Sequence, residues 1–458
     1  MLYRLVKLIA ITGIKIFYNR IIVKNAHYIP KIGPVIFVAN HPSTMMDGII
    51  IGYACPRDLC FLAKSTIFRK HFRRRILSRL RLIPVYRKQD QPESMEKNLE
   101  TFSCCYELLE AGEAFLIFPE GTSTGERVLS KIKTGAARIG FGAEERNDFQ
   151  LNVQIIPVGL NYSNVVKFRS DVYVRFGHPI FLKDYRDDFE ADKVTAVKMV
   201  TDQIETALSK LTITVKELDM EQMVAALEDI YKKELIVDLG LKARDQNDDF
   251  SVSKGLINAV EWFYENQPER VERIKEMLSR YQNNLERLHL RDEFFSPVKS
   301  RGDKMKSFHA VLYLVAGFPL YLYGLINNYI PYKIPRWYAA RFLSAKSQWA
   351  TTKMLVGAAS FLVYYGLGIA LVLFLTDNPL IIIIYILSLI PSGNFVLKYA
   401  RKANEYRQHL RFMSVFYHKR FLVYKIIQQR MQLVQFLNEA KTEYMRAVGL
   451  RTPNSSSL

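Results

Sequence analysis

"PVIFVANHPSTMMDG", residues 34–48, decides how the rest of the chain is read. Its first seven residues are a short apolar run with the composition of a strand buried on both faces. His41 follows at once, then small polar residues, then Asp47. A tight turn or a first helical turn through "STMMDG" can fold that carboxylate back toward the imidazole. A carboxylate on one ring nitrogen fixes the tautomer and leaves the other nitrogen free as a general base. Such a pair can take a proton from an alcohol but carries no nucleophile of its own. The same letters also suit an ordinary turn that happens to contain a histidine, so the surroundings must separate the two readings.

Further strand-like runs lie at 58–64 ("DLCFLAK"), 81–87 ("RLIPVYR"), 114–120 ("AFLIFPE"), 153–160 ("VQIIPVGL") and 171–180 ("DVYVRFGHPI"). Helical patterns alternate with them, among them 94–112, which opens on a capping Ser94 and closes at Gly112. This alternation predicts an α/β domain, a largely parallel sheet flanked by helices, over 26–212. Ligands of such sheets bind beyond the carboxyl ends of the strands, where both "NHPSTMMDG" and "FPEGTSTG" (118–125) fall. The residues after 212 predict a helical connector over 213–305, then a helical transmembrane region over 306–400, then a basic cytosolic helical tail over 401–458 with a disordered end.

The chain has 458 residues, enough for more than one domain, and a formal net charge of +19. A basic excess of that size points to an anionic partner, nucleic acid or a phospholipid surface. The apolar residues decide between them. "MLVGAASFLVYYGLGIALVLFL" (354–375) has no charged residue and is long enough to span a hydrocarbon core, and "PLIIIIYILSLIPSGNFVL" (379–397) is nearly so. The positive charge is therefore assigned to a phospholipid membrane and not to nucleic acid. Basic flanks before 354 and after 397 predict a hairpin, 354–397, with both flanks and the catalytic domain on the cytosolic face. The segment 307–330 carries Gly317, Pro319, Asn327 and Asn328 and reads as re-entrant or surface-lying. Residues 1–25 predict an amphipathic interfacial helix, Arg4, Lys7 and Lys15 on one side and Leu5, Ile9 and Ile16 on the other, with a core helix as the alternative. The N-terminus shows no small-residue cleavage site. Cys55, Cys60, Cys104 and Cys105 show no paired metal-ligand spacing and read as packing residues; no metal or resident cofactor is expected.

The second chemical stretch is "FPEGTSTGERVLSKIKTGAAR" (118–138). Pro119-Glu120-Gly121-Thr122 offers backbone N–H groups, a hydroxyl and a carboxylate at a strand end, and glycine lets a ligand approach the main chain. "GTSTG" (121–125) also satisfies G-x-S-x-G, the nucleophile elbow of serine hydrolases. That elbow places its serine directly between strand and helix, whereas Phe118-Pro119-Glu120 intervenes before Ser123, which makes a hydrolase the more distant alternative. Arg87 closes the run "LIPVYR" on the ligand edge and suits bidentate contact to a phosphate. The arginines around it read as a face toward lipid headgroups.

These residues together resemble the glycerolipid (PlsC-like) acyltransferase family. His41 and Asp47 match its histidine–aspartate motif, "IPVYR" (83–87) its second block, "FPEGT" (118–122) its third and "IIPVGLNY" (155–162) its fourth. Two departures are visible: the pair is spaced one residue wider than H-x4-D, and Ser123 stands where an arginine often follows "FPEGT". Both resemble the fungal-type glycerol-3-phosphate/dihydroxyacetone-phosphate acyltransferase branch. The resemblance implies that His41, oriented by Asp47, deprotonates an acceptor hydroxyl that attacks an acyl thioester carried by coenzyme A or acyl carrier protein. It further implies an acceptor site shaped by Arg87, Glu120, Gly121, Thr122, Ser123 and Lys64, with Lys133, Arg138, Lys167 and Arg169 as other candidate phosphate ligands. The implied acceptor is glycerol 3-phosphate, with dihydroxyacetone phosphate or lysophosphatidic acid as alternatives.

Overall fold

The computed structural model describes residues 2–68, 70–87, 96–123, 125–215, 218–241, 246–296 and 307–449. Ser94, expected as a helix cap, and the tail after 449, expected to be disordered, lie outside them. The chain divides into two compact units, Met1–Thr214 with Ile334–Ala359, and Val215–Lys333 with Ser360–Leu458.

The first unit is built on an eight-stranded sheet in the order β1-β7-β6-β2-β5-β3-β4, with β8 pairing β6. β2 (Val35–Ala39) is buried at every position, as its unbroken apolar sequence requires of a strand covered on both faces. It runs parallel to β5 (Ala114–Ile117) on one side and to β6 (Gln154–Tyr162) on the other. β3 (Cys60–Lys64) and β4 (Leu82–Val85) extend the parallel part, and β7 (Asp171–Phe176) and β8 (Ile180–Phe181) turn back antiparallel to β6. The side chains of β2 alternate between two cores: Val35, Phe37 and Ala39 with Ile50 and Ile51 of α2 (Thr44–Ala54), Ile36 and Val38 with Ile139 and Phe141 of α5 (Gly135–Glu145). α4 (Asn98–Glu110) ends in a Schellman motif: Gly112, at φ +69°, donates to Leu109 O, and Glu113 donates to Leu108 O.

The N-terminal helix is shorter than its expected 1–25. α1 covers Leu2–Phe17, and Arg20–Lys24 is β1, parallel to β7. The β-branched triplet Ile21-Ile22-Val23 suits a pleated edge better than a helix, and Asn19 and Arg20 both anchor on Asp171. Ile14 and Phe17 of α1 enter the core, while Leu5, Ile9 and Ile16 remain 55%, 62% and 64% exposed.

The second unit is helical: α8 (Leu218–Ile230), α9 (Lys232–Asp238), α10 (Gln246–Asn266), α11 (Pro268–Leu288), parts of α12 (Ser307–Phe342) and α13 (Trp349–Leu375), α14 (Pro379–His418) and α15 (Arg420–Ala447). α11 buries Val271, Ile274, Leu278, Tyr281 and Leu285, one stripe at helical spacing. Arg430 of α15 is buried and pairs with Glu234 at 2.7 Å and Asp292 at 2.8 Å.

Among the described residues three helical segments are long and apolar enough to cross a membrane: Val311–Phe342, Lys346–Leu375 and Pro379–His418. The segment 307–330, expected to re-enter or to lie on the surface, is the start of the continuous helix α12, without the break that re-entry requires. Its two asparagines explain the difference. Asn327 Oδ1 accepts from Tyr385, Asn328 Oδ1 accepts from Tyr365, and Asn328 Nδ2 donates to Ser392. Interhelical partners of this kind satisfy the amides, so no break in the helix is needed to hydrate them.

Candidate active site

The carboxyl end of β2 lies between those of β5 and β6, and three loops meet there. Asn40 closes β2: its side chain donates to Leu160 O at 2.9 Å and accepts from Leu160 N–H at 2.7 Å, locking the strand end to β6. His41 then turns out of the sheet. Its ring lies flat on Phe118, the residue after β5, with centroids 3.8 Å apart and planes at 14°.

The chain enters α2 through Thr44, which holds φ at +36°, an uncommon conformation for a β-branched residue. Asp47, on the first turn of α2, then faces back toward His41. Its Oδ2 lies 2.9 Å from His41 Nδ1 and accepts the Ser43 N–H at 2.7 Å. Its Oδ1 accepts the hydroxyl of Tyr162, the last residue of β6. The side chain of Asp47 has no exposed surface, and that of His41 keeps 13%. A buried carboxylate persists only when its oxygens are hydrogen-bonded, and here three donors converge on it. With the carboxylate on Nδ1, that nitrogen carries the proton and the lone pair is left on Nε2.

Glu120 joins the loops after β2 and β5. One carboxylate oxygen accepts the His41 N–H at 2.8 Å and the other accepts the Ser130 N–H at 2.9 Å. Burial pushes its carboxyl group up, against the pull of those two donors. Glu120 thus braces the loop after β2 against the loop after β5. Gly121 follows at φ +72°, and a Cβ there would come within 2.5 Å of Lys133 Nζ, so the lysine ammonium lies directly on the glycine face.

The structure brings His41, Asp47, Glu120 and Gly121 together. Thr122 is exposed beside them. Ser123 is half-buried, with its Oγ 3.3 Å from Ser347 Oγ. Among the described residues no helix starts behind Ser123: β5 ends at Ile117 and α5 begins at Gly135, so the strand–serine–helix elbow of a hydrolase is not formed there. Lys64 is the exposed last residue of β3, and Arg87 lies two residues beyond β4. Those strands are two and three places from β2, and at strand spacing the end of β4 is about 14 Å from that of β2. His178 is away from this cluster, with Nε2 3.1 Å from Tyr28 OH.

Two participants were not singled out in the sequence. Tyr162 closes the matched stretch "IIPVGLNY", where a polar-tipped residue ends a strand buried almost throughout; that was the available signal. Ser347 gave none. It lies in the turn between α12 and α13, its carbonyl accepts the Thr44 hydroxyl at 3.1 Å, and its N–H would collide with a Cβ on Gly125 at 2.8 Å. The first turns of α13 continue that contact: Ala350 is fully buried in the core of the sheet, and Lys353 donates to Val166 O at 2.9 Å.

Glycerol-3-phosphate O-acyltransferase 1 of Saccharomyces cerevisiae is 28% identical over 207 residues, 43% of this chain and 26% of that protein. Glycerol-3-phosphate O-acyltransferase 2 of the same yeast is 29% identical over 136 residues, 30% of this chain and 18% of that protein. The chain therefore spans about a quarter or less of the length of these relatives. The crystal structure of the 1-acyl-sn-glycerophosphate (LPA) acyltransferase PlsC from Thermotoga maritima aligns at a TM-score of 0.31 and 18% identity, covering 44% of this chain and 78% of that one. The Acyltransferase family model matches residues 20–161, which contain His41, Asp47, Glu120 and Gly121. Over residues 20–161 the chain is similar to the acyltransferase family.

Proposed function

We propose that this chain is a membrane-bound O-acyltransferase that moves an acyl group from an acyl thioester to a hydroxyl of glycerol 3-phosphate, forming lysophosphatidic acid. The observation that carries the reading is the His41–Asp47 pair at 2.9 Å, with the aspartate fully buried and the imidazole still partly exposed. His41 Nε2 takes the proton of the acceptor hydroxyl, and the oxygen attacks the thioester carbonyl carbon. The carbon–sulfur bond then breaks, and the leaving thiolate receives the proton from the imidazolium. Asp47 holds the ring in the required tautomer and stabilises the imidazolium.

In this reading the acceptor phosphate sits over the loop Glu120–Ser123, and the Lys133 ammonium that lies against Gly121 supports it. Arg87 and Lys64 approach from β4 and β3 with their longer reach. The names of the two yeast relatives support glycerol 3-phosphate as acceptor. The three apolar segments and the exposed Leu5, Ile9 and Ile16 support a membrane setting, and the basic flanks of the hairpin support a cytosolic catalytic face.

The test is acyl transfer in membranes carrying the full chain, with labelled glycerol 3-phosphate and acyl-coenzyme A, compared with His41→Ala. Labelled lysophosphatidic acid appears with wild type and not with the variant. Dihydroxyacetone phosphate and lysophosphatidic acid are run in parallel as acceptors, and preferential turnover of either would replace glycerol 3-phosphate in the assignment.

A further inference from the structure

Asp47 is the part of the pair that the acyl-transfer mechanism needs but never touches with substrate, and its second oxygen is held from a distant part of the chain. Tyr162, at the end of β6, is 6% exposed and donates its hydroxyl to Asp47 Oδ1. The ring of Tyr18, just past α1, packs beside it with centroids 5.9 Å apart. We propose that Tyr162 is a positioning residue for catalysis, holding Asp47 by its outer oxygen so that the inner oxygen stays on His41 Nδ1. The inference rests on the acyl-transfer reading of the site.

The chemistry of the cluster sets what Tyr162 does. Asp47 Oδ2 already receives His41 Nδ1–H and the Ser43 N–H. Oδ1 belongs to a side chain with no exposed surface, and an unmatched buried carboxylate oxygen is costly. Without a donor there, the carboxylate either rotates toward another partner or gathers more charge on the imidazole side. Burial and the neighbouring Asp47 charge push the Tyr162 phenol far above its usual range, so it stays protonated and donates throughout the working pH range. The ionisable groups around the pair are Asp47 on α2, Glu120 after β5 through the His41 N–H, Tyr162 on β6 and Tyr18 beside it. Lys133 adds a positive charge at the neighbouring Gly121.

Removing the phenol hydroxyl leaves Asp47 with less of its charge neutralised, and the imidazolium gains by it. The base then holds its proton to higher pH, and the acid limb of the pH–rate profile moves up. The experiment uses full-length chain in membranes with glycerol 3-phosphate and acyl-coenzyme A. Tyr162→Phe is expected to lower kcat about tenfold with both KM values unchanged, and to shift the acid limb to higher pH. In an Asp47→Asn background the same change is expected to cost little more, because the group it acts through is gone. 3-Fluorotyrosine at position 162 keeps the shape and donates more strongly, and is expected to move the acid limb the other way even if the phenylalanine variant folds poorly.

Additive losses in the double variant, or an acid limb that stays in place in both single variants, would overturn the assignment. If His41→Ala keeps turnover, the acyl-transfer reading falls first. If His41→Ala is inactive while Tyr162→Phe matches wild type, only the role of Tyr162 falls.

Discussion

The centre and the edge of the sheet treat charge differently. At the centre, where β2 lies between β5 and β6, each oxygen of Asp47 and Glu120 is matched to a donor; the imidazole of His41 is fixed by a carboxylate and a stacked ring, and its main chain by Glu120. At the edge, β3 ends in an exposed Lys64, and Arg87 follows β4 on the outermost strand. The difference teaches that the reacting groups are placed by short, buried contacts between adjacent strands. The groups proposed to meet phosphate are long side chains that reach inward. A shift of a fraction of an ångström matters at the centre and is absorbed at the edge.

The comparison breaks if any edge substitution outweighs loss of the base. His41→Ala is expected to lower the rate by at least about 10²-fold, measured as acyl transfer in membranes at matched chain abundance. A larger loss for Arg87→Ala than for His41→Ala would reverse the ranking of centre and edge. Asp47→Asn comes next, with kcat down by about 10- to 100-fold and KM little changed; a change confined to KM would place Asp47 in substrate binding instead.

Gly121→Ala tests the seam between the regions. Its φ of +72° and the Lys133 ammonium 2.5 Å from the new Cβ oppose any side chain there. Acceptor KM is expected to rise about tenfold with a smaller change for the thioester, and an unchanged acceptor KM would remove this loop from the phosphate site. Lys133→Gln sharpens that seam and Arg87→Gln the edge itself. Each is expected to raise the KM for glycerol 3-phosphate by about three- to tenfold at preserved kcat, with Lys133 the larger; equal values for glycerol and its phosphate would show that neither side chain meets the phosphate.

The smallest effect concerns stability. A carboxyl raised by burial adds stability that is complete below its unfolded value, about 4.3, and that is lost as pH climbs through its folded value. Glu120→Gln removes this titration. The midpoint of thermal inactivation for wild type relative to the variant is therefore expected to fall from acidic toward neutral pH, and a flat difference would show that Glu120 does not titrate anew on folding.

The legible parts of the sequence were local. β2 announces itself as five buried apolar residues in a row, and the His41–Asp47 spacing is bridged by one turn and the start of one helix. β1 was hidden because Arg20–Lys24 continues the basic and apolar mixture of α1, and only its pairing with β7 separates them. Tyr162 reaches Asp47 across 115 residues of chain and Ser347 reaches Thr44 across 303, distances over which no spacing rule operates. The continuity of α12 was hidden for the same reason, since the partners of Asn327 and Asn328 come from α13 and α14.

The return of residues 334–359 to the first unit has a practical consequence. Ala350 shares a core with Val35 and Leu160, and Ser347 holds Thr44, so the catalytic fold is completed by chain that arrives only after the second unit has been entered. A soluble fragment ending near residue 214 would bare that seam and leave the entrance to α2 without its outer support. Recombinant work on this chain, and any ribosome-bound folding of it, must wait for the later segment before the first unit is assembled.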